Sequence, residues 1–125
     1  MVTTNLTLKD SIKTLNNIRA LKPNWNEDGA DAFTPELINR VEDIVKKLKI
    51  QPYIFPTQND SIQLEYEFDK DYLEFEIFEN TMIKIFNYHF NNEENTTVRS
   101  EYITEEELFI IVDDYFKHKE NSRKK

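Results

Sequence analysis

The fold of this chain is decided by residues 61–78, which read SIQLEYEFDKDYLEFEIF. Apolar and acidic side chains alternate twice in this stretch, first over 62–68 and again over 73–77. A period of two is typical of a β-strand with one face in a core and one face in water. The stretch therefore predicts two antiparallel strands joined by a short turn.

The same alternation predicts a register for this hairpin. We expect residues 69–72 to connect the strands, with Phe68 opposite Leu73, because the apolar residues then share one face. On the other face this register predicts a two-by-two block of carboxylates, with two directly opposite pairs: Glu67 with Glu74, and Glu65 with Glu76.

A second hairpin is expected to follow, with its turn at residues 79–81. It pairs Phe75 with Ile85 in the core and puts Lys84 opposite Glu76 on the outer face. That outer face also carries an apolar patch, formed by Phe78, Met82, Phe86 and Tyr88. The sequence leaves open whether the last helix or a partner covers this patch.

Helical periodicity flanks the strands on both sides. Thr7 with Asp10 resembles a capping box, Thr34 precedes a proline, and Thr104 with Glu107 is a capping box. The expected architecture is α+β, with two N-terminal helices, an antiparallel sheet of about four to five strands and a C-terminal helix. We expect a single domain over residues 1–118 and a basic, flexible tail over 119–125.

The only glycine and the only tryptophan lie together between the first two helices, in the stretch Asn24–Ala30. Glycine is the residue that a chain uses where φ is positive. We therefore predict a structural turn built on Trp25 and Gly29, with the indole as a core or hinge anchor.

Composition limits the classes of protein that fit. The 125 residues include no cysteine, which excludes disulfides and thiolate metal sites. No run approaches the roughly 18 apolar residues of a membrane span, and no signal segment is evident, so we expect a cytoplasmic protein without membrane contact.

The net charge of −8 is unevenly distributed. Residues 51–118 contain four basic and sixteen acidic side chains, whereas residues 119–125 contain four basic and one acidic. The negative electrostatic potential of residues 51–118 disfavours direct binding to nucleic acid and favours a protein partner with a basic surface.

The carboxylate block has three interpretations: a docking surface for a basic partner, a divalent-cation site, or an ordinary solvated sheet face. No motif with metal-ligand spacing is present, and the two histidines, His89 and His118, lie in no nucleophile motif. We therefore expect no catalysis, no metal and no cofactor.

The order of these features resembles a family of small, mostly uncharacterised bacterial and phage proteins. The resemblance covers residues 12–86 and rests on Asn24-Trp25, Gly29-Ala30, Pro35, Pro56-Thr57, Ile62–Tyr66 and Leu73–Ile77. The chain departs from the family pattern at Asn26-Glu27, Asn59–Ser61 and Tyr66. The resemblance implies a setting among phages, mobile elements and genes near defence or toxin–antitoxin modules, in a bacterial host cell.

Together these arguments predict a non-enzymatic binding protein that inhibits a nucleic-acid-handling defence protein by occupying its basic surface. The expected partner-binding residues are Glu65, Glu67, Glu74, Glu76, Phe86 and Tyr88. An antitoxin or immunity-type partner, or a subunit of a larger complex, is the alternative, and a carboxylate-metal hydrolase is a third class.

Overall fold

The computed structural model describes the backbone of residues 5–68, 71–90 and 96–123, and their side chains except at 68, 90, 96, 97 and 118–123. Its elements are α1 (Leu8–Arg19), α2 (Pro35–Lys47), β1 (Tyr53–Pro56), β2 (Ser61–Phe68), β3 (Asp71–Phe78), β4 (Ile83–Phe90), β5 (Thr96–Ile103) and α3 (Glu105–Arg123). The predicted α+β class is confirmed, and the antiparallel sheet has five strands in chain order.

Each helix begins at the cap that the sequence predicts. The Thr7 hydroxyl accepts a hydrogen bond from the Asp10 amide, and the Asp10 carboxylate accepts one from the Thr7 amide. The Thr34 hydroxyl caps α2 in the same way. At α3, Thr104 and Glu107 form the reciprocal pair. These side chains satisfy amides that the helix itself leaves unpaired.

The β2–β3 register differs from the predicted one by two residues. Residues 69 and 70 connect the strands, and Phe68 pairs with Asp71 instead of Leu73. Alternation determines which side chains share a face, but two registers that differ by two residues place the same side chains on that face. The length of the connection between the strands therefore determines which register forms. A two-residue connection is the commonest hairpin loop because its twist matches that of the strands.

This shift changes which carboxylates face each other. The predicted pairs Glu67–Glu74 and Glu65–Glu76 are wrong, and the observed partners are Glu65 with Glu74, Glu67 with Tyr72, and Glu76 with Gln63. The β3–β4 register is the predicted one, with Phe75 opposite Ile85 and Glu76 opposite Lys84.

All three helices pack on the same face of the sheet. Their buried side chains join the inward residues of the strands in one hydrophobic core. The Phe116 ring of α3 contacts the buried Tyr66 ring of β2 edge-on, with the ring centroids 5.0 Å apart. The Arg40 Nε of α2 lies 3.6 Å from the Glu105 Oε2 of α3. Helix α3 therefore lies beside α2 and leaves the opposite face of the sheet uncovered, including the patch at Phe78, Met82, Phe86 and Tyr88.

Helix α3 extends to Arg123, past residue 118 where the sequence suggests a domain boundary. The side chain of His118 and residues 124 and 125 lie outside the described part of the chain. Among the helices of the described ranges, none combines the length and apolar character that crossing a membrane requires.

The loop between α1 and α2 contains the expected turn. Gly29 has φ +83°, and Asn24 and Glu27 also have positive φ. The Asn24 side chain accepts a hydrogen bond from the Gly29 amide at 2.8 Å. The Trp25 Nε1 donates to the Asp31 carbonyl at 2.9 Å, and its ring contacts Phe33. The half-buried Trp25 side chain thus anchors this loop through contacts with other residues of the same loop.

Candidate functional site

The sheet face that points away from the helices is called the open face. Alternation along the strands and their register places on it Tyr53, Phe55, Gln63, Glu65, Glu67, Tyr72, Glu74, Glu76, Phe78, Lys84, Phe86, Tyr88, Val98, Ser100 and Tyr102. Its edges are the most accessible parts: Phe55 on β1 is 44% exposed and Tyr102 on β5 is 59% exposed. The open face therefore presents rings at both edges and carboxylates between them.

Three carboxylates and one phenol form the centre of the open face. The Tyr72 hydroxyl is hydrogen-bonded to Glu65 on β2 and to Glu74 on its own strand, the latter at 2.8 Å. Glu65 and Glu74 lie directly opposite each other, and Glu76 follows Glu74 on the same face. We call Glu65, Tyr72, Glu74 and Glu76 the carboxylate–tyrosine cluster.

The remaining polar contacts of this cluster are with neutral groups. The Gln63 amide donates to Glu65, and the Ser61 hydroxyl donates to Glu76 at 2.6 Å. Lys84 is opposite Glu76 in the register, yet the ion pairs found among the described residues involve other carboxylates. The cluster is therefore hydrogen-bonded but not neutralised by a cation in direct contact.

The surroundings change the acidity of two members of the cluster. Burial raises the pKa of Glu74, and the charges of Glu65 and Glu76 raise it further, against the opposing effects of the Tyr72 hydrogen bond and the Lys84 charge. Burial also raises the pKa of the Tyr72 hydroxyl, and its bonds to Glu65 and Glu74 add to that shift. Tyr72 thus remains a donor at neutral pH, and ionised Glu74 is held at a cost.

Two rings from β4 lie beside this cluster. Phe86 is opposite Glu74 in the register, and its ring meets that of Tyr72 edge-on with centroids 6.2 Å apart. Tyr88 is opposite Tyr72. Of the six predicted partner-binding residues, the structure thus brings Glu65, Glu74, Phe86 and Tyr88 together around Tyr72, with Glu76 adjoining Glu74.

Glu67 differs from the other predicted site residues. It lies opposite Tyr72 in the register but is exposed, and the Tyr72 hydroxyl is shared by Glu65 and Glu74. Its negative charge instead adds to the burial that raises the pKa of Tyr115 on α3. Glu67 is therefore at the margin of the cluster, toward the end of the sheet that α3 approaches.

Sequence reasoning did not identify Tyr72, because the predicted four-residue turn included it. The signal was present in the chain: extending the β3 alternation back by one step, from Glu74, reaches Tyr72 on the same face. The tighter turn makes this residue part of the strand and places its hydroxyl between two carboxylates.

Asp71 and His89 form a second polar pair that the sequence analysis did not predict. They are opposite each other on β3 and β4, and the His89 Nδ1 is hydrogen-bonded to the nearly buried Asp71 carboxylate. A carboxylate behind an imidazole is the orienting half of a catalytic triad. Among the residues whose side chains the structure describes, His89 is hydrogen-bonded to Asp71 and to no serine, threonine or cysteine.

A cleft of about 230 Å³ lies between the start of α1 and β1. Two of its polar lining residues are already engaged, since Asp10 caps α1 and the Ser11 hydroxyl donates to Gln51 at 2.7 Å. Among the residues that the structure describes, no group of three or more histidine, cysteine, aspartate or glutamate side chains has an arrangement able to hold a metal ion. The open face is therefore the best-developed candidate site.

Comparison with protein families, with curated proteins and with solved structures finds no match for this chain.

Proposed function

We propose that this chain is a non-enzymatic binding module that occupies a basic surface of a protein partner through the open face of its sheet. The observation that carries the proposal is the carboxylate–tyrosine cluster, which stands uncovered by the helices and without a cation in direct contact. Like charges directly opposite in a sheet destabilise it by roughly 0.2–1 kcal/mol. A basic partner removes that cost when it binds.

Charge and rings on the open face have complementary roles in this proposal. The carboxylates attract lysine and arginine side chains and speed the encounter. Phe86 and Tyr88, and the more exposed Tyr53 and Tyr102, supply the apolar contact from which interfaces obtain most of their binding energy. Rings also bind cations directly through their π faces.

The class of partner follows from the same chemistry. Protein surfaces that bind nucleic acid are rich in lysine and arginine, and a row of carboxylates presents negative charge to them as phosphates do. The family resemblance supports a setting in phages or mobile elements. We therefore propose that the partner is a nucleic-acid-handling defence protein, which the bound module inhibits.

Affinity capture from a bacterial lysate tests this proposal with three immobilised proteins: the unchanged chain, a variant with the open-face substitutions Glu65→Gln, Glu67→Gln, Glu74→Gln and Glu76→Gln, and a matched control. The control removes four exposed carboxylates from the helices, by Asp43→Asn, Glu106→Gln, Asp113→Asn and Asp114→Asn. Both variants lose the same amount of negative charge. A difference in the amount of partner that they capture therefore shows that the position of the charge matters.

The proposal predicts a nucleic-acid-binding protein that the unchanged chain and the control both retain at low salt. Its binding falls by at least about tenfold in the open-face variant and is weakened at high salt, because the attraction is electrostatic. Equal capture by the two variants would contradict the proposal.

A further inference from the structure

The two edges of the sheet differ in how they are protected. Strand β1 has four residues, ends at Pro56 and packs beside α1. Short length, proline and a covering helix are the usual defences of an edge against pairing with another chain. Strand β5 has eight residues, contains neither proline nor glycine, and pairs with β4 in one unbroken register. Within the described part of the chain, no further strand pairs with its outer edge.

The charges on β5 select a particular strand. Arg99 and Glu101 lie on the helix side of the sheet and pair with each other within the chain at 2.5 Å. Like charges on an edge strand would repel a second copy, but this strand carries one of each sign, placed symmetrically about Ser100. An antiparallel second copy related by a two-fold axis at Ser100 therefore places each arginine opposite a glutamate.

The geometry of an antiparallel pair makes this register specific. Every second residue of β5 directs its N–H and C=O groups toward the outer edge. The register of pairing with a second copy can therefore change only in steps of two residues. One such shift puts Arg99 opposite Arg99, and the shift in the other direction puts Glu101 opposite Glu101. The register centred on Ser100 avoids both repulsions.

On the open face the same register pairs the exposed apolar residues of β5. Val98, which is 54% exposed, lies opposite Tyr102 of a second copy, which is 59% exposed. Aromatic and β-branched residues are favourable cross-strand partners. We propose that the outer edge of β5 is a homodimerisation surface, at which two copies pair antiparallel about Ser100 and form a continuous ten-stranded sheet.

Helix α3 leaves room for this arrangement. It begins at Glu105, directly after β5, and returns over the sheet so that Phe116 contacts Tyr66 on β2. Its path leads away from the outer edge of β5. The inference is independent of the proposed function, since it uses neither the carboxylate–tyrosine cluster nor a basic partner.

Sedimentation velocity between about 5 and 500 µM tests the proposal, a range that includes the dissociation constants of small interfaces. The unchanged chain is expected to pass from monomer to dimer within it. Arg99→Glu and Glu101→Arg, each alone, place like charges opposite each other twice and raise the dissociation constant about tenfold or more. An equimolar mixture of the two variants restores the dimer, because each arginine again faces a glutamate.

This mixture separates dimer contacts from stability within one chain, since neither variant regains its internal Arg99–Glu101 pair on mixing. Circular dichroism confirms that each variant is folded. A chain that stays monomeric over the whole range, or variants that dimerise as well alone as mixed, would overturn the proposal.

Cross-linking tests the register directly, because the chain has no cysteine of its own. Ser100→Cys places two thiols opposite each other at the axis, and we expect a disulfide-linked dimer under mild oxidation. Thr97→Cys is the matched control, since the proposed register places the two copies of this position six residues apart and leaves Arg99 and Glu101 unchanged. Equal cross-linking of the two variants would contradict a two-fold axis at Ser100.

Discussion

At the scale of single residues, Tyr72 explains how two glutamates lie opposite each other in one sheet. Its hydroxyl is bonded to both Glu65 and Glu74, although it has one proton to donate. One carboxylate is therefore stabilised at the expense of the other. Because burial and the neighbouring charges raise the pKa of Glu74, ionised Glu74 is held in the sheet at a cost.

A stability measurement on Glu74→Gln tests this view. A raised pKa means that the native state binds the proton of Glu74 more tightly than the unfolded chain does. The cost of ionisation is thus fully present above the raised pKa and disappears as the pH falls through it. We expect Glu74→Gln to increase the free energy of unfolding at pH 7 by on the order of 0.5–1 kcal/mol, with the difference vanishing toward about pH 4.

Urea denaturation across this pH range gives the comparison. Asp113→Asn, at an exposed position in the middle of α3, is the control and should leave stability nearly unchanged at every pH. A Glu74→Gln variant that is no more stable than the unchanged chain at pH 7 would show that the open-face carboxylates carry no such cost.

At the scale of secondary-structure elements, a buried glutamine joins the first two helices to the sheet. Gln51 is 5% exposed and lies just before β1. Its side-chain amide donates to the carbonyls of Val45 and Leu48 at the end of α2, at 2.8 and 3.0 Å, and accepts from the Ser11 hydroxyl of α1. Gln51 thereby pairs the Leu48 carbonyl, which follows the last turn of α2, and gives the Val45 carbonyl a second donor beside the Leu48 amide.

Gln51→Leu is expected to lower the free energy of unfolding by roughly 2–4 kcal/mol, because it leaves buried polar partners unsatisfied. Ser11→Ala removes one of the same bonds and should cost about 1 kcal/mol. In the double variant the costs should not add, since the two side chains share a bond. Chemical denaturation of the three variants measures this, and fully additive losses would argue against the shared network.

The elements differ in how far the sequence predicts them. Helix starts at Thr7, Thr34 and Thr104 are predictable because capping is local chemistry. The buried face of α1 is predicted less well. Helical periodicity places the apolar Leu8 on that face, yet Leu8 is 40% exposed, whereas the polar Ser11 is buried against Gln51. A buried polar contact between residues forty positions apart leaves no periodic signal in either segment.

The candidate site shows the same limit. Alternation correctly predicts that Glu65, Glu74 and Glu76 share a face with Phe86, but it does not distinguish registers two residues apart. The register depends on how many residues connect the two strands. It determines in turn that Glu65 pairs with Glu74 and that the Tyr72 hydroxyl lies near both. Likewise, the periodicity of α3 predicts an apolar stripe without saying which side of the sheet receives it.

At the scale of the whole molecule, the buried apolar side chains lie on one face of the sheet. The helices and the inward residues of the strands form the core, while the open face keeps its carboxylates between two exposed aromatic edges. Other acidic groups are present, including the first turn of α3 at Glu105–Glu107. We propose that a basic partner binds the open face rather than these other acidic positions.

Amide chemical shifts of the ¹⁵N-labelled protein, titrated with a hexa-arginine peptide at low salt, test that claim most directly. The account predicts that the largest changes fall on Glu65, Tyr72, Glu74 and Phe86, and that salt reverses them. Changes that centre on Glu105–Glu107, or that spread equally over all acidic positions, would contradict it.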